Sequence, residues 1–149
     1  MEWVSNLHGS TIGLDTAPVI YFIEEHPQYL SIVQSFFSAI DNGEIVAVTS
    51  VITLLEVLIH PIRKGNITLA QQYREILLNS NNLDSIPLSP DIAEQSAILR
   101  SQYNLHTPDA IQIAIAISAG ATHFLTNDSD LPIVSGLTFL ILDNLSEQL

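Results

Sequence analysis

The sequence predicts an α/β fold, a three-layer sandwich in which a central, mostly parallel β-sheet is flanked by helices. Three observations predict it. Short β-branched runs alternate with longer stretches of helical periodicity along the whole chain, the pattern of strands joined by helical crossovers. Helix starts and stops are marked by Ser, Thr, Asp or Pro before the apolar periods and by Gly after them. With 47% hydrophobic and 13% charged residues, the composition can cover both faces of such a sheet and excludes a disordered chain.

Residues 11–15 read as a short strand ending in Asp15, after which Thr16-Ala-Pro18 opens a helix with Asp15 or Thr16 as N-cap. Pro27 breaks that pattern. Tyr29, Val33, Phe36, Phe37 and Ile40 then recur at helical spacing up to a stop at Asn42-Gly43. Residues 44–49 form a buried strand, and Ser50 caps a helix from Val51 to His60 that Pro61 ends, leaving Arg63 and Lys64 in a basic loop. Thr68 and Gln71 suggest a capping box for a helix that turns Leu69, Tyr73, Ile76 and Leu77 inward.

Residues 83–88 form a weaker strand, demoted by Pro87. Ser89-Pro90 starts a helix reaching about Tyr103. Thr107-Pro108 starts the next, with Asp109 in its first turn and Gly120 at its end. Residues 122–126 are a strand, 127–130 an acidic loop, and 137–142 a last strand. No repeat, linker or low-complexity tract interrupts the series, so one domain over residues 1–149 is expected.

Composition excludes several functions. Without cysteine there is no disulfide, thiolate nucleophile or Cys-bound zinc. The N-terminal residues lack a basic and then apolar leader, and no apolar run reaches the length of a membrane span, so a cytoplasmic location is expected. Sixteen acids against four bases give a net charge of −12, which disfavours unassisted binding to a polyanion and suits a cationic partner.

The acids themselves are informative. In an open parallel sheet, ligands bind beyond the carboxyl ends of the strands. Asp15 ends the first strand, Asp128 and Asp130 follow the fourth, and Asp109 opens the helix feeding the fourth. Thr49, Thr53, Glu56 and His60 follow one another at steps of four, three and four, which keeps them on one stripe of an otherwise apolar helix. Glu56 has no sequence-near base before Arg63, so a buried partner is expected for it. Each acid also has an ordinary explanation: Asp15 as a cap, Asp109 as a complement to the helix dipole, Asp128 and Asp130 as turn residues. Their convergence would instead make a pocket for a hard divalent cation, whose bound water is activated for hydrolysis.

The motifs Leu-Asp15-Thr, Thr-Ser-x-x-Thr-x-x-Glu56, Thr-Pro-Asp109-Ala-Ile-Gln-Ile-Ala and Phe-Leu-Thr-Asn-Asp128 occur in the order seen in PIN-domain nucleases. From about Ile12 to Leu142 the chain resembles that family, and most closely its VapC-type toxins of bacterial toxin–antitoxin pairs. The resemblance implies a PIN-like parallel sheet, an Mg²⁺ or Mn²⁺ site and cleavage of RNA. It makes Asp15, Glu56, Asp109 and Asp128 the acidic quartet, with Asp130 as an accessory acid and Thr126 and Asn127 as orienting polar residues. Thr53 and Thr49, on the Glu56 stripe, are candidates to hydrogen-bond bound water.

The resemblance also implies a basic antitoxin as partner, and homodimers are common among such proteins. Trp3, Phe36, Phe37 and Tyr73 are either exposed candidates for that contact or core. Two divalent ions would bring the net charge only to about −8, so RNA contacts would fall to the few bases Arg63, Lys64 and Arg100, unless these are simply solvated. His60 is a candidate for substrate contact or a helix-end cap, while His26, His106 and His123 lack ligand spacing.

Other readings fit less well. A receiver-type signalling domain would want a lysine at a late strand end, and the only lysine is Lys64. A calcium loop starting at Asp128 would have Phe139, not Glu, at its twelfth position. A non-catalytic interaction module keeping the same fold stays open.

Overall fold

Five strands form one parallel sheet in the order β3-β2-β1-β4-β5: β1 (Thr11–Leu14), β2 (Val46–Ser50), β3 (Leu83–Ile86), β4 (His123–Thr126) and β5 (Thr138–Ile141). The structure, a computed structural model, describes residues 1–145. Its helices are α1 (Glu2–Ser5), α2 (Thr16–Ile23), α3 (Leu30–Asp41), α4 (Val51–Lys64), α5 (Ile67–Asn79), α6 (Pro90–Gln102), α7 (Thr107–Ser118) and α8 (Leu142–Leu145). β3 stops at Ile86 on an edge of the sheet, where Pro87 deprives no neighbour of a donor. Among the described residues no helix is long and apolar enough to cross a membrane.

Alternation along the strands builds the layers. Ile12, Leu14, Ala47 and Leu125 join a core with α1, α2, α3, α5 and α8, whereas Phe124 joins a second core with α6 and α7. Trp3, Phe36, Phe37 and Tyr73 all lie in the first core, which removes them as an exposed dimer surface. The Tyr73 hydroxyl is anchored on Glu24, and burial, followed by that contact, raises its pKa.

The helix α7 lies against the sheet more closely than a side chain on β1 would allow. A Cβ at Gly13 would stand 2.6 Å from Ala116 Cβ and 2.7 Å from Phe124 Cδ1. Glycine there, with alanines at 110, 114 and 116 on α7, seats the helix that carries Asp109.

Three local expectations are corrected. α4 does not stop at Pro61 but continues to Lys64, so Arg63 and Lys64 occupy its last turn. The stop is Gly65, whose left-handed φ of 68° accommodates the turn; the buried Pro61 costs one helical hydrogen bond without ending the helix. The cap of α5 is Asn66, whose side chain accepts the Leu69 N–H at 3.1 Å, while Gln71 turns to Glu75. α4 is also not buried all round: Thr53, Val57 and Pro61 face inward, and Leu55, Ile59 and Ile62 are 57%, 47% and 60% exposed.

Candidate active site

All five strands run parallel, so their carboxyl ends share one edge of the sheet. Leu14 of β1 pairs with Leu125 of β4, which sets Asp15 beside Thr126 as the two strands end. The Asp15 N–H continues the ladder to the Leu125 carbonyl at 3.0 Å. Its carboxylate is held twice: the Thr16 N–H donates to Oδ1 at 2.8 Å, and the Thr126 hydroxyl donates to Oδ2 at 2.7 Å. Asp15 therefore caps α2 and faces the site with one side chain.

Asp128 follows on the same loop. Its backbone N–H donates to Thr126 Oγ1 at 3.1 Å, and its Oδ1 accepts the Asp130 N–H at 2.9 Å in a tight Asx-type turn. Thr126 thus links the acid ending β1 to the loop after β4. Asp109 sits half-buried in the first turn of α7, and no described residue hydrogen-bonds its carboxylate.

The electrostatics tie these groups together. Burial pushes the Asp15 carboxyl up from its ordinary range against the pull of its Thr126 and Thr16 hydrogen bonds, and the charge of Asp128 adds to the rise. Asp109 is pushed up first by burial, then by Asp15 and Asp128, and also by Glu56, with His106 acting the other way. Asp130 is exposed, its charge is not among those acting on Asp15 or Asp109, and it serves the turn through its backbone.

Glu56 departs from expectation. It lies at the exposed rim of α4 rather than in the interior, and its partner is a hydroxyl: Thr16 Oγ1 donates to Glu56 Oε1 at 3.1 Å. The buried partner expected for it is not needed, because α4 keeps only one face covered. Thr49 and Thr53 are wholly buried below Glu56, and their hydroxyls lie 2.9 Å apart. His60, one turn beyond Glu56, is exposed.

Two participants were not among the candidate site residues of the sequence. Gln112, one turn beyond Asp109 on α7 and 3% exposed, donates from Nε2 to Thr53 Oγ1 at 2.8 Å and Thr16 Oγ1 at 3.2 Å, while its Oε1 accepts from Thr49 Oγ1 at 3.1 Å. Thr16 is the second, through Glu56. The available signal was a single amide in an otherwise apolar helix, three residues from an acid and so on its face. Among the described residues the Asn127 side chain makes no hydrogen bond to Asp15, Glu56, Asp109 or Asp128: its amide donates to Tyr21 Oη at 3.3 Å and its Oδ1 accepts the Asp143 N–H at 3.0 Å, tying the acidic loop to α2 and α8. Arg100 is engaged structurally, donating to the Leu105 carbonyl at 2.8 Å and Thr107 Oγ1 at 2.9 Å, which braces the entry into α7.

Among the described residues, no three acidic or imidazole side chains stand close enough, as they are oriented, to enclose a metal ion. The donor chemistry nevertheless suits a hard cation. The set is all carboxylate, Asp109 has no hydrogen-bond donor among the described residues, and burial, with neighbouring negative charges adding to it, disfavours ionisation of both Asp15 and Asp109.

Parallel sheet and helix layers define a three-layer α/β architecture with acids at the strand ends. The PIN domain family model matches residues 12–137, and the chain belongs to the PIN domain family. No curated protein matches the sequence. Among solved structures, a toxin–antitoxin complex from Klebsiella pneumoniae is similar at 23% identity and TM-score 0.64, covering 87% of this chain and 96% of that one. VapBC2 from Rickettsia felis, bound to a DNA fragment from its promoter, is 18% identical with TM-score 0.66, covering 88% of this chain and 98% of that one. The sarcin–ricin-loop-cleaving toxin VapC20 of Mycobacterium tuberculosis is 17% identical with TM-score 0.66, over 81% and 92% of the two chains. At these identities the likeness is one of fold.

Proposed function

We propose that this chain is a VapC-type toxin acting as one nuclease domain, a metal-dependent endoribonuclease in which Asp15, Asp109, Asp128 and Glu56 would hold Mg²⁺ or Mn²⁺. The observation that carries the reading is the joining of Asp15 and Asp128 through the Thr126 hydroxyl where β1 and β4 end, with a half-buried Asp109 whose carboxyl is pushed up by burial and by the charges of Asp15, Asp128 and Glu56 and finds no hydrogen-bond donor among the described residues. Family membership and the toxins among the structural neighbours support it. A bound divalent ion supplies water activation and charge neutralisation for phosphodiester hydrolysis. The chain's own residues do the rest: Thr126 orients Asp15, Thr16 orients Glu56, and the Asx turn fixes Asp128. Asp130 remains outside the proposed ligand set.

The partner is a basic antitoxin. A groove of about 800 Å³ runs between α2, α3 and α5, floored by Phe22, Ile23, Phe37 and Ile76 and bordered by Asp41 and Glu75. Its apolar floor and acidic border, on a chain of net charge −12, suit an amphipathic segment carrying basic side chains. A homodimer through the exposed Leu55, Ile59 and Ile62 stripe of α4 completes the reading.

The test is an RNA cleavage assay with Mg²⁺ or Mn²⁺ on wild type, Asp109→Asn and Glu56→Gln. Cleavage by wild type alone supports the nuclease. Equal cleavage by all three overturns the site. No cleavage of any RNA, with no thermal shift on adding metal, favours a non-catalytic interaction module.

A further inference from the structure

Gln112 has no place among the acids, yet its amide reaches all three threonine hydroxyls behind them. The rest of its helical stretch, Ala110, Ile111, Ile113, Ala114, Ile115 and Ala116, is buried and apolar. An amide in that setting needs every hydrogen bond it can make, and an unbranched apolar side chain of similar size would pack there without that demand.

Its contacts impose a direction on three hydroxyls. Each threonine hydroxyl has one proton to give and two lone pairs to accept with. The two Nε2 hydrogens go to Thr53 Oγ1 and Thr16 Oγ1, at 2.8 and 3.2 Å, so both hydroxyls are acceptors towards Gln112 and must send their protons elsewhere. Thr53 then donates to Thr49 Oγ1 at 2.9 Å, and Thr49 donates to the Leu14 carbonyl at 2.8 Å or to Gln112 Oε1 at 3.1 Å. Thr16, 3.3 Å from Thr53, gives its proton to Glu56 Oε1 at 3.1 Å, the nearer of the two acceptors and the one that carries charge. Among the described residues no buried side-chain nitrogen or oxygen lacks a hydrogen-bond contact. An acceptor in place of the amide hydrogens would draw the Thr16 proton inward and release Glu56.

We propose that Gln112 is a positioning residue, which directs the Thr16 hydroxyl onto Glu56 and so holds that carboxylate as an oriented acceptor beside Asp109. The inference rests on the metal-site reading of Glu56. It adds a buried polar layer beneath the acids, joining the start of α2, the β2–α4 junction and α7. Partners of this kind typically change metal affinity or activity by about 10–100-fold when removed.

The experiment measures Mn²⁺ affinity by calorimetry without RNA, and kcat and KM for RNA cleavage, on the whole chain. The variants are Gln112→Met, Glu56→Gln and the pair together, with Thr16→Val and Thr16→Ser as a second route to the same link. Gln112→Met is expected to weaken Mn²⁺ binding about tenfold and to lower kcat with little change in KM. Most of that loss should vanish in the Glu56→Gln background, because the interaction it acts through is already gone. Thr16→Val should reproduce it and Thr16→Ser should restore it, whether or not Gln112→Met folds. Unchanged Mn²⁺ affinity in Gln112→Met and Thr16→Val, when Glu56→Gln weakens it, overturns the inference and leaves the metal site standing. Losses that simply add in the double variant also overturn it, showing a packing role. If Glu56→Gln and Asp109→Asn themselves leave Mn²⁺ affinity unchanged, it is the metal-site reading that falls.

Discussion

Thr126 donates its hydroxyl proton to Asp15 Oδ2 at 2.7 Å and accepts the Asp128 N–H on the same oxygen at 3.1 Å. One buried hydroxyl thereby sets the orientation of the acid that ends β1 and the path of the loop after β4. The two acids are 113 residues apart in sequence, and strand pairing alone would leave their side chains free to turn.

Removing that hydroxyl should therefore cost more than a surface change. Thr126→Val keeps the shape but strips a buried carboxylate of one donor, an expected loss of about 1.5–3 kcal/mol in urea denaturation. Divalent-metal affinity should fall in parallel, as measured by calorimetry. Thr126→Ser should recover most of both.

Asp109→Asn should abolish cleavage, by at least about a hundredfold, the scale of losing one charge-stabilising group from an active site. It should also stabilise the metal-free protein. Because the folded state raises the Asp109 pKa, that state binds more protons than the unfolded chain above the ordinary carboxylate range. Stability is consequently lost as pH rises through the raised value. In chelator at pH 7.5, Asp109→Asn should melt higher than wild type, and the gap should close as pH falls towards 4, the ordinary aspartate range. An equal gap at both pH values would contradict the shift.

The seat of α7 is tested at Gly13. Gly13→Ala would place its Cβ against Ala116 and Phe124, an overpacking expected to cost about 1–3 kcal/mol in chemical denaturation. Since Ala116 Cβ is the nearest obstruction, Ala116→Gly should relieve part of the loss in the double variant.

The α4 stripe predicts association. Ile59→Asp places a charge in the middle of Leu55, Ile59 and Ile62, and light scattering on the purified chain should show a shift from dimer to monomer. Its melting temperature should change little at concentrations where wild type is already monomeric.

Much of the fold was legible because its signals are local. The short strand that ends in Asp15, the Ser50 and Ser89 caps and the apolar period of α3 each act within a few residues. The errors came where a local signal was outvoted. Pro61 reads as a terminator, yet α4 tolerates it because Pro61 is packed in the interior and Gly65 provides the turn. Thr68 reads as a cap, yet Asn66 already occupies the N-cap of α5.

By itself, the sequence determined the α/β class, the order of elements and which acids stand at strand and helix ends, because periodicity and capping depend on near neighbours. Only the tertiary structure decided what those acids touch. That Glu56 sits at an exposed rim, that Thr16 is its partner, that Asp130 stays in its turn and that Gln112 lies beneath them all follow from how α4 and α7 pack on the sheet. A hydrogen bond across 40 or 96 residues leaves no periodic trace in the chain, since it depends on distance in space and not in sequence.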